Sequence, residues 1–274
     1  MKNLLLTSCT VLTLVALTPA ARAGDIGLAP ATYDWSGGYV GMNAGAAINQ
    51  STFKSDYGYT GQDDIGDESL ALINDLDYSA SPSEGAFQAG VVAGYNMQMS
   101  NFVLGVEGDF NYLGFNGTVK NNASDVMSQV LEPENTDAMD KVDYEGTWYG
   151  TMRARVGYAL DNVLIYGTGG LAYGQLNIKQ KLDASNGAES ATWTSEREAW
   201  KMGWTIGGGV EYAIDRWTLG LEYLYVDLNT YEWGSNGNVN LNDATLQTDW
   251  SQVRERGEAD YAFSVARATF KYRF

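Results

Sequence analysis

Hydrophobic residues recur at every second position in eight separate stretches of this 274-residue chain, and no other feature limits the fold as tightly. A period of two marks a β-strand with one apolar face. From Phe102, the residues Phe102, Leu104, Val106, Phe110 and Tyr112 share one face, while Glu107, Asp109 and Asn111 take the other. The stretch from Trp148 repeats the pattern, with Trp148, Met152, Ala154, Val156 and Tyr158 opposed to Tyr149, Thr151, Arg153 and Arg155. Six more stretches alternate in the same way: Val40 to Ala46, Phe87 to Met97, Val163 to Tyr173, Trp200 to Tyr212, Trp217 to Tyr225 and Ala262 to Phe274. Each spans about 9 to 14 residues, the length a tilted strand needs to cross a bilayer.

The connections alternate as well. Short turns lie around Gln98 to Asn101, Leu160 to Asn162 and Asp215 to Arg216, and long polar connections occupy roughly residues 48–85, 113–146, 176–199 and 227–260. The expected fold is therefore all-β: an eight-stranded antiparallel up-and-down transmembrane barrel with four long extracellular loops and short periplasmic turns. The long connections hold 26 acidic and 8 basic residues, which accounts for nearly all of the formal charge of −17. Rich in Asp, Asn, Ser and Gly, they either extend the hairpins beyond the membrane or stay irregular.

Residues 1–23 have a basic Lys2, an apolar run from Leu4 to Leu17, Pro19, and Ala21-Arg22-Ala23. This is the pattern of a secretory signal peptide cleaved between Ala23 and Gly24. The apolar run is too short for a spanning helix, which needs about 20 residues. The sole cysteine, Cys9, lies in this segment, so the mature chain is expected to hold no thiol, disulfide or lipid anchor. A short periplasmic segment, 24–36, is expected before the barrel, 37–274. Every later apolar run is interrupted by Gly or polar residues, so any membrane crossing must use strands.

Alternation alone does not separate a membrane barrel from a soluble one, in which the apolar face points inward. Three features favour the membrane: the signal peptide, the aromatic residues at the ends of the apolar faces (Trp148, Tyr158, Trp200, Tyr212, Trp217, Tyr225), and the aromatic end of the chain at Phe270, Tyr272 and Phe274. The strand charges Glu107, Asp109, Arg153, Arg155, Lys201, Glu211, Glu222 and Arg267 all fall opposite the bulky hydrophobes, and they are expected to form an interior ion-pair cluster. Paired carboxylates such as Glu107 and Asp109 also suit a glycosidase, but the two arginines on the matching face favour ion pairing. Gly167-Thr168-Gly169-Gly170-Leu171-Ala172 fits a dinucleotide fingerprint but runs on as a strand instead of opening a helix. Asp75, Asp77 and Glu84 resemble a calcium loop, with Ala80 where the turn glycine belongs. Tyr57-Gly58-Tyr59 offers phenolic oxygens of the kind that ligate haem iron. The chain has no histidine, which removes Ser-His-Asp and Cys-His relays and His-ligated zinc. Its acidity opposes nucleic acid. No catalytic residue, metal or cofactor is expected.

The strings WSGGYVGMNAGAA (Trp35 to Ala47), GVEGDF (Gly105 to Phe110), RARVGYAL (Arg153 to Leu160), LIYGTGGLAYG (Leu164 to Gly174) and ATFKYRF (Ala268 to Phe274) span nearly the whole mature chain. In order and spacing they resemble the porin-family outer-membrane immunogenic proteins of alphaproteobacteria, whose architecture is similar to the OmpA-type eight-stranded barrel. The resemblance implies a Gram-negative outer-membrane location, lipids and lipopolysaccharide as surroundings, and a C-terminal signal at Phe270, Tyr272 and Phe274 read by the barrel-assembly machinery. It also implies a non-enzymatic, surface-exposed role in envelope integrity. The alternatives are a narrow channel for small solutes and loop-mediated recognition, as in an adhesin or a haem binder. Oligomeric state is left open.

Overall fold

The computed structural model describes residues 33–61, 71, 73–127, 137–185, 190–240 and 252–274. The expected signal peptide, with its expected cleavage residues Ala21, Ala23 and Gly24, lies outside the described residues, as does the first part of the 24–36 segment. The strands are β1 (Gly37–Asn49), β2 (Thr52–Tyr59), β3 (Tyr78–Ala80), β4 (Gly85–Met99), β5 (Phe102–Asn122), β6 (Asp137–Leu160), β7 (Val163–Ser185), β8 (Ser190–Ile214), β9 (Trp217–Asn240) and β10 (Val253–Arg273).

Eight of them close a ring in the order β1-β4-β5-β6-β7-β8-β9-β10, and β10 returns to pair antiparallel with β1 from Tyr39↔Arg273 to Asn49↔Phe263. All pairs are antiparallel neighbours in sequence, apart from the closing seam and the insertion of β2 and β3. A ring leaves no strand edge in the hydrocarbon, where an unpaired amide has no water to turn to. The three short turns reverse the chain in two residues, and the first residue of each, Ser100, Asp161 or Asp215, takes a positive φ between 52° and 57°. Asn101 and Asn162 follow two of these residues and donate their side-chain amides to the carbonyls of Ala159 (3.1 Å) and Ala213 (2.9 Å), latching adjacent hairpins together.

The long connections are mostly strand. β6 runs for 24 residues and β8 for 25, far more than the roughly 9 to 11 that cross a membrane, so the wall continues well beyond the bilayer. Between β7 and β8 only residues 186–189 separate the two strands. The physical reason lies in a reversal of pattern. On the lower part of β7, Ile165, Leu171 and Tyr173 are exposed to lipid, and Thr168 and Gly170 face the lumen. Farther up the same strand Leu176, Ile178, Leu182 and Ala184 are buried inside, and Lys179, Lys181 and Asp183 face outward. The upper half is thus built as a water-soluble barrel on top of a membrane barrel.

Bulges keep the two halves in phase. On β6 the buried positions are even-numbered from Ala138 to Gly146 and include the odd-numbered Tyr149 to Ala159, with the register shift between Gly146 and Tyr149. β9 changes phase at Asn229, whose φ is 61°. β2 continues β1 after a short break, pairing with upper β10 from Thr52↔Asp260 to Tyr59↔Val253.

Three apolar clusters fill the barrel. Trp35, Val103, Ala159, Leu164, Tyr166 and Ala213 close the periplasmic end. A large middle cluster includes Tyr149, Leu176, Leu228, Tyr231, Tyr261 and Phe263, and a third includes Tyr57, Ile73, Leu182, Trp193 and Val253. Trp35 is held in its mouth by Gln98 Oε1, which accepts from its backbone N–H at 2.7 Å, and by its ring N–H donating to the Asp161 carbonyl at 3.1 Å.

Ring closure requires glycine at the seam. A Cβ on Gly45 would lie 2.1 Å from the Ala266 carbonyl oxygen and 2.6 Å from the Arg267 Cα on the partner strand. Replacing Gly45 by Val is therefore expected to push β1 off β10 at a cost of about 1–3 kcal/mol. Its readout is the fraction of protein whose gel mobility changes on boiling, which should fall against the native chain; an unchanged fraction would mean that the seam tolerates a side chain there.

Candidate functional site

Between the periplasmic apolar plug and the middle cluster, strand phase brings eight charged side chains together across the lumen. Glu107 and Asp109 come from β5, Arg153 and Arg155 from β6, Glu211 from β8, Glu222 from β9, and Arg267 and Lys271 from β10. All eight are at most 6% exposed. A narrow eight-stranded lumen leaves side chains to fill it, so these charges must satisfy one another.

Arg153 sits at the centre. It pairs with Glu107, with Asp109 at 2.9 Å and with Glu222 at 2.9 Å, and its Nε donates to the Thr151 hydroxyl at 2.9 Å. Arg267 bridges Asp109 at 2.8 Å and Glu222 at 2.6 Å. Arg155 joins Glu107 at 3.3 Å to Glu211 at 2.9 Å, and Lys271 joins the same two acids at 2.6 and 2.9 Å. Tyrosine hydroxyls complete the network: Tyr39 donates to Glu107 at 2.8 Å and Tyr166 to Glu222 at 2.9 Å, while the Arg155 guanidinium lies 3.8 Å from the centre of the Tyr166 ring. Four acids meet four bases, so the group is neutral overall. Each carboxylate touches at least two cations, which repays desolvation as an isolated pair would not.

Seven of the eight charges picked out by strand phase lie in this network. Lys201 does not. Phase fixes the face of a strand but not the height along it, and Lys201 stands ten residues above Glu211 on β8, about 33 Å along the strand. It packs over the Tyr231 ring, 5.5 Å from the centre. Lys271 also belongs to the network, though in sequence it is masked by the aromatic C-terminal run in which it stands. Its position, two steps of the same phase beyond Arg267 and opposite Phe270 and Tyr272, is the signal that finds it.

The C-terminal aromatics lie on the lipid side of the closing seam. Phe270 stacks on Trp217 with centroids 4.7 Å apart, Tyr272 meets the same indole at 4.8 Å, and Phe274 is exposed with its N–H donating to the Gly38 carbonyl at 3.0 Å.

The remaining candidates are occupied within the fold. Glu107 and Asp109 share Arg153 and are buried within the ion network. Gly167 to Ala172 lie inside β7. Asp77 accepts from the Tyr57 N–H at 2.6 Å, and Glu84 accepts from the Tyr144 hydroxyl at 2.9 Å. Tyr57 is buried and donates its hydroxyl to Asp140 at 2.8 Å, which turns it away from any exterior ligand. Burial, reinforced by Asp140 and Glu255, holds that hydroxyl well above the usual range, and burial raises the Asp140 carboxyl too. Among the described residues no group of three or more Cys, Asp or Glu side chains is placed to hold a metal ion.

Replacing Arg153 by Met leaves Glu107, Asp109 and Glu222 short of a buried partner and is expected to cost about 3–5 kcal/mol. Lys201→Met should cost about 1 kcal/mol or less, the worth of an exposed cation–π contact. Urea titrations of the two variants in lipid vesicles check the contrast, and equal losses would deny the network its special weight.

The sequence matches the model of the outer membrane protein beta-barrel domain over residues 7–274. It is 36% identical over 236 residues to the 31 kDa outer-membrane immunogenic protein of Brucella melitensis biotype 1, covering 85% of each chain. It is 30% identical over 158 residues to the 22 kDa outer membrane protein of Rhizobium leguminosarum bv. viciae, covering 57% of this chain and 60% of that one. Among solved structures, it aligns with the outer membrane protein OprG of Pseudomonas aeruginosa at 13% identity and a TM-score of 0.44, over 87% of this chain and 97% of the other. The chain belongs to the outer membrane protein beta-barrel domain family and is a β-barrel protein of the outer membrane.

Proposed function

We propose that this protein is a closed, non-enzymatic element of the outer membrane that contributes to envelope integrity and displays an acidic rim to the exterior. The observation that carries the proposal is the filled lumen. A solute entering from outside meets the middle apolar cluster, then the neutral ion network, then the plug around Trp35. Opening a path through the network would mean separating several buried ion pairs at once, each costly without water. No group in the network is free to act as a general acid or nucleophile, since every carboxylate holds cations. The name of the Brucella relative supports a surface-displayed antigen, and the outward acids on the upper strands are the groups such a surface would present.

Export fits the same picture. A signal peptide ending at Ala23 delivers the chain to the periplasm. The barrel-assembly machinery then reads Phe270, Tyr272 and Phe274, which belong to the segment that joins the ring to β1.

Two outcomes are expected. The mature protein, folded in detergent and added to a planar bilayer, should give no reproducible single-channel steps; steady steps that vanish when Arg153 and Glu222 are exchanged for each other would make it a narrow channel instead. Deleting Phe274 should lower the amount of assembled barrel in the outer membrane several-fold, and an unchanged yield would remove the terminal aromatic from the assembly signal.

A further inference from the structure

The seam between β8 and β9 is open over part of its height. Pairing runs from Ile214↔Trp217 up to Trp204↔Asp227, stops, and resumes only at Trp193↔Gly237. Residues 194–203 of β8 and 228–236 of β9 therefore have no partner in this seam. Among the described residues the seams β5–β6, β6–β7, β7–β8 and β9–β10 are interrupted by no more than two residues on either strand. The break starts at Asn229, whose left-handed backbone turns β9 aside and whose side-chain amide donates to the Met202 carbonyl at 2.7 Å.

The opening exposes lumenal positions. By register with β7, Arg197 stands opposite Ile178 and Lys201 opposite Gly174, both on the inner face. Ile178 is buried, yet Arg197 is exposed and Lys201 half-buried, so the gap lets solvent reach them. Acids nearby are already engaged. Glu196 pairs with Lys179 at 2.7 Å, Glu232 with Arg256 at 3.2 Å, Glu198 accepts from Gln175, and Asp227 accepts from the Asn229 N–H at 2.8 Å. Arg197 and Lys201 have no carboxylate partner among the described residues. Two uncompensated cations thus line a breach in a chain whose net charge is −17.

Its height is marked by aromatics. Trp200 and Trp204 are exposed on the outer face of β8, Tyr173 lies 6.3 Å from Trp200, and Tyr225 lies 5.4 Å from Trp204. Tryptophan and tyrosine in such a belt sit at the level of lipid headgroups. Lys201 is within this belt, and Arg197 stands four residues farther up β8, about 13 Å above it on the side away from the periplasm.

We propose that the gap between β8 and β9 is a docking site for the phosphorylated headgroup of a glycolipid of the outer leaflet, held by Arg197 and Lys201. The guanidinium grips phosphate through two parallel hydrogen bonds, and the ammonium adds a point charge. The β8 edge that lacks a β9 partner lies at the same height. Tyr231, under Lys201 and donating to the Gly174 carbonyl at 3.3 Å, forms the floor and keeps the acyl chains outside, against Trp200 and Met202. The assignment rests on the membrane placement of the barrel, not on whether the barrel conducts.

The test is a binding titration of purified lipopolysaccharide into the full mature protein folded in detergent, with boiling-dependent gel mobility confirming that each variant is folded. Arg197→Gln combined with Lys201→Gln is expected to weaken binding roughly tenfold. Arg197→Lys with Lys201→Arg should keep it, as should Lys54→Gln with Lys120→Gln, two cations elsewhere on the upper barrel. Undiminished binding by the first variant, or an equal loss in the Lys54 and Lys120 variant, would overturn the site. So would equally tight binding of dephosphorylated lipopolysaccharide, or displacement of the lipid by inorganic phosphate at the same phosphate concentration, which would mark a free-anion site.

Discussion

Backbone amides in hydrocarbon have only protein to bond with, and everything else in this molecule follows from the way β10 meets that demand by returning to β1. Closing eight strands sets the bore. A bore that narrow admits side chains but no continuous column of water, so any charge placed inside must find its opposite within reach. The network around Arg153 satisfies this, with four carboxylates and four cations interleaved across five strands. The inward glycines belong to the same geometry: Gly170 leaves room for the Arg153 backbone, which a Cβ would approach to 2.7 Å.

The wall serves two solvents with one set of strands. Below the aromatic belt, lipid rewards apolar residues outside and the lumen takes the polar ones. Above it, water rewards the reverse, and the same β-period is read with its faces exchanged. Where the exchange falls out of step with the strand, a single extra residue corrects it, as between Gly146 and Tyr149 and at Asn229. At Asn229 the correction has a side effect. Turning β9 aside separates it from β8 and exposes Arg197 and Lys201.

Much of this was legible in the amino-acid sequence, for reasons that also explain what was not. Eight apolar faces were visible because lipid-facing positions must be apolar at every second residue, and the acids and arginines of the lumen stood out against them. The upper halves of the strands were hidden among polar residues. A segment such as Leu176 to Ala184 alternates as cleanly as Trp148 to Tyr158, but its outward residues are charged, and a reading tuned to lipid takes it for a loop. Height was equally invisible: Lys201 and Glu211 share a face and a strand, yet one meets the headgroup region and the other the centre of the barrel. Lys271 was masked by neighbouring aromatics that answer to the lipid side.

The cation balance of the lumen is completed only by β10. Arg267 and Lys271 are carried by β10, while all four carboxylates lie on β5, β8 and β9 with only Arg153 and Arg155 of β6 to meet them. An open sheet lacking β10 therefore holds a surplus of two negative charges facing inward, which are costly to remove from water. Arrival of the final strand supplies the missing positive charge together with the missing hydrogen-bond edge. A barrel without β10 is thus electrostatically unbalanced as well as open, and Arg267 and Lys271 correct both faults together.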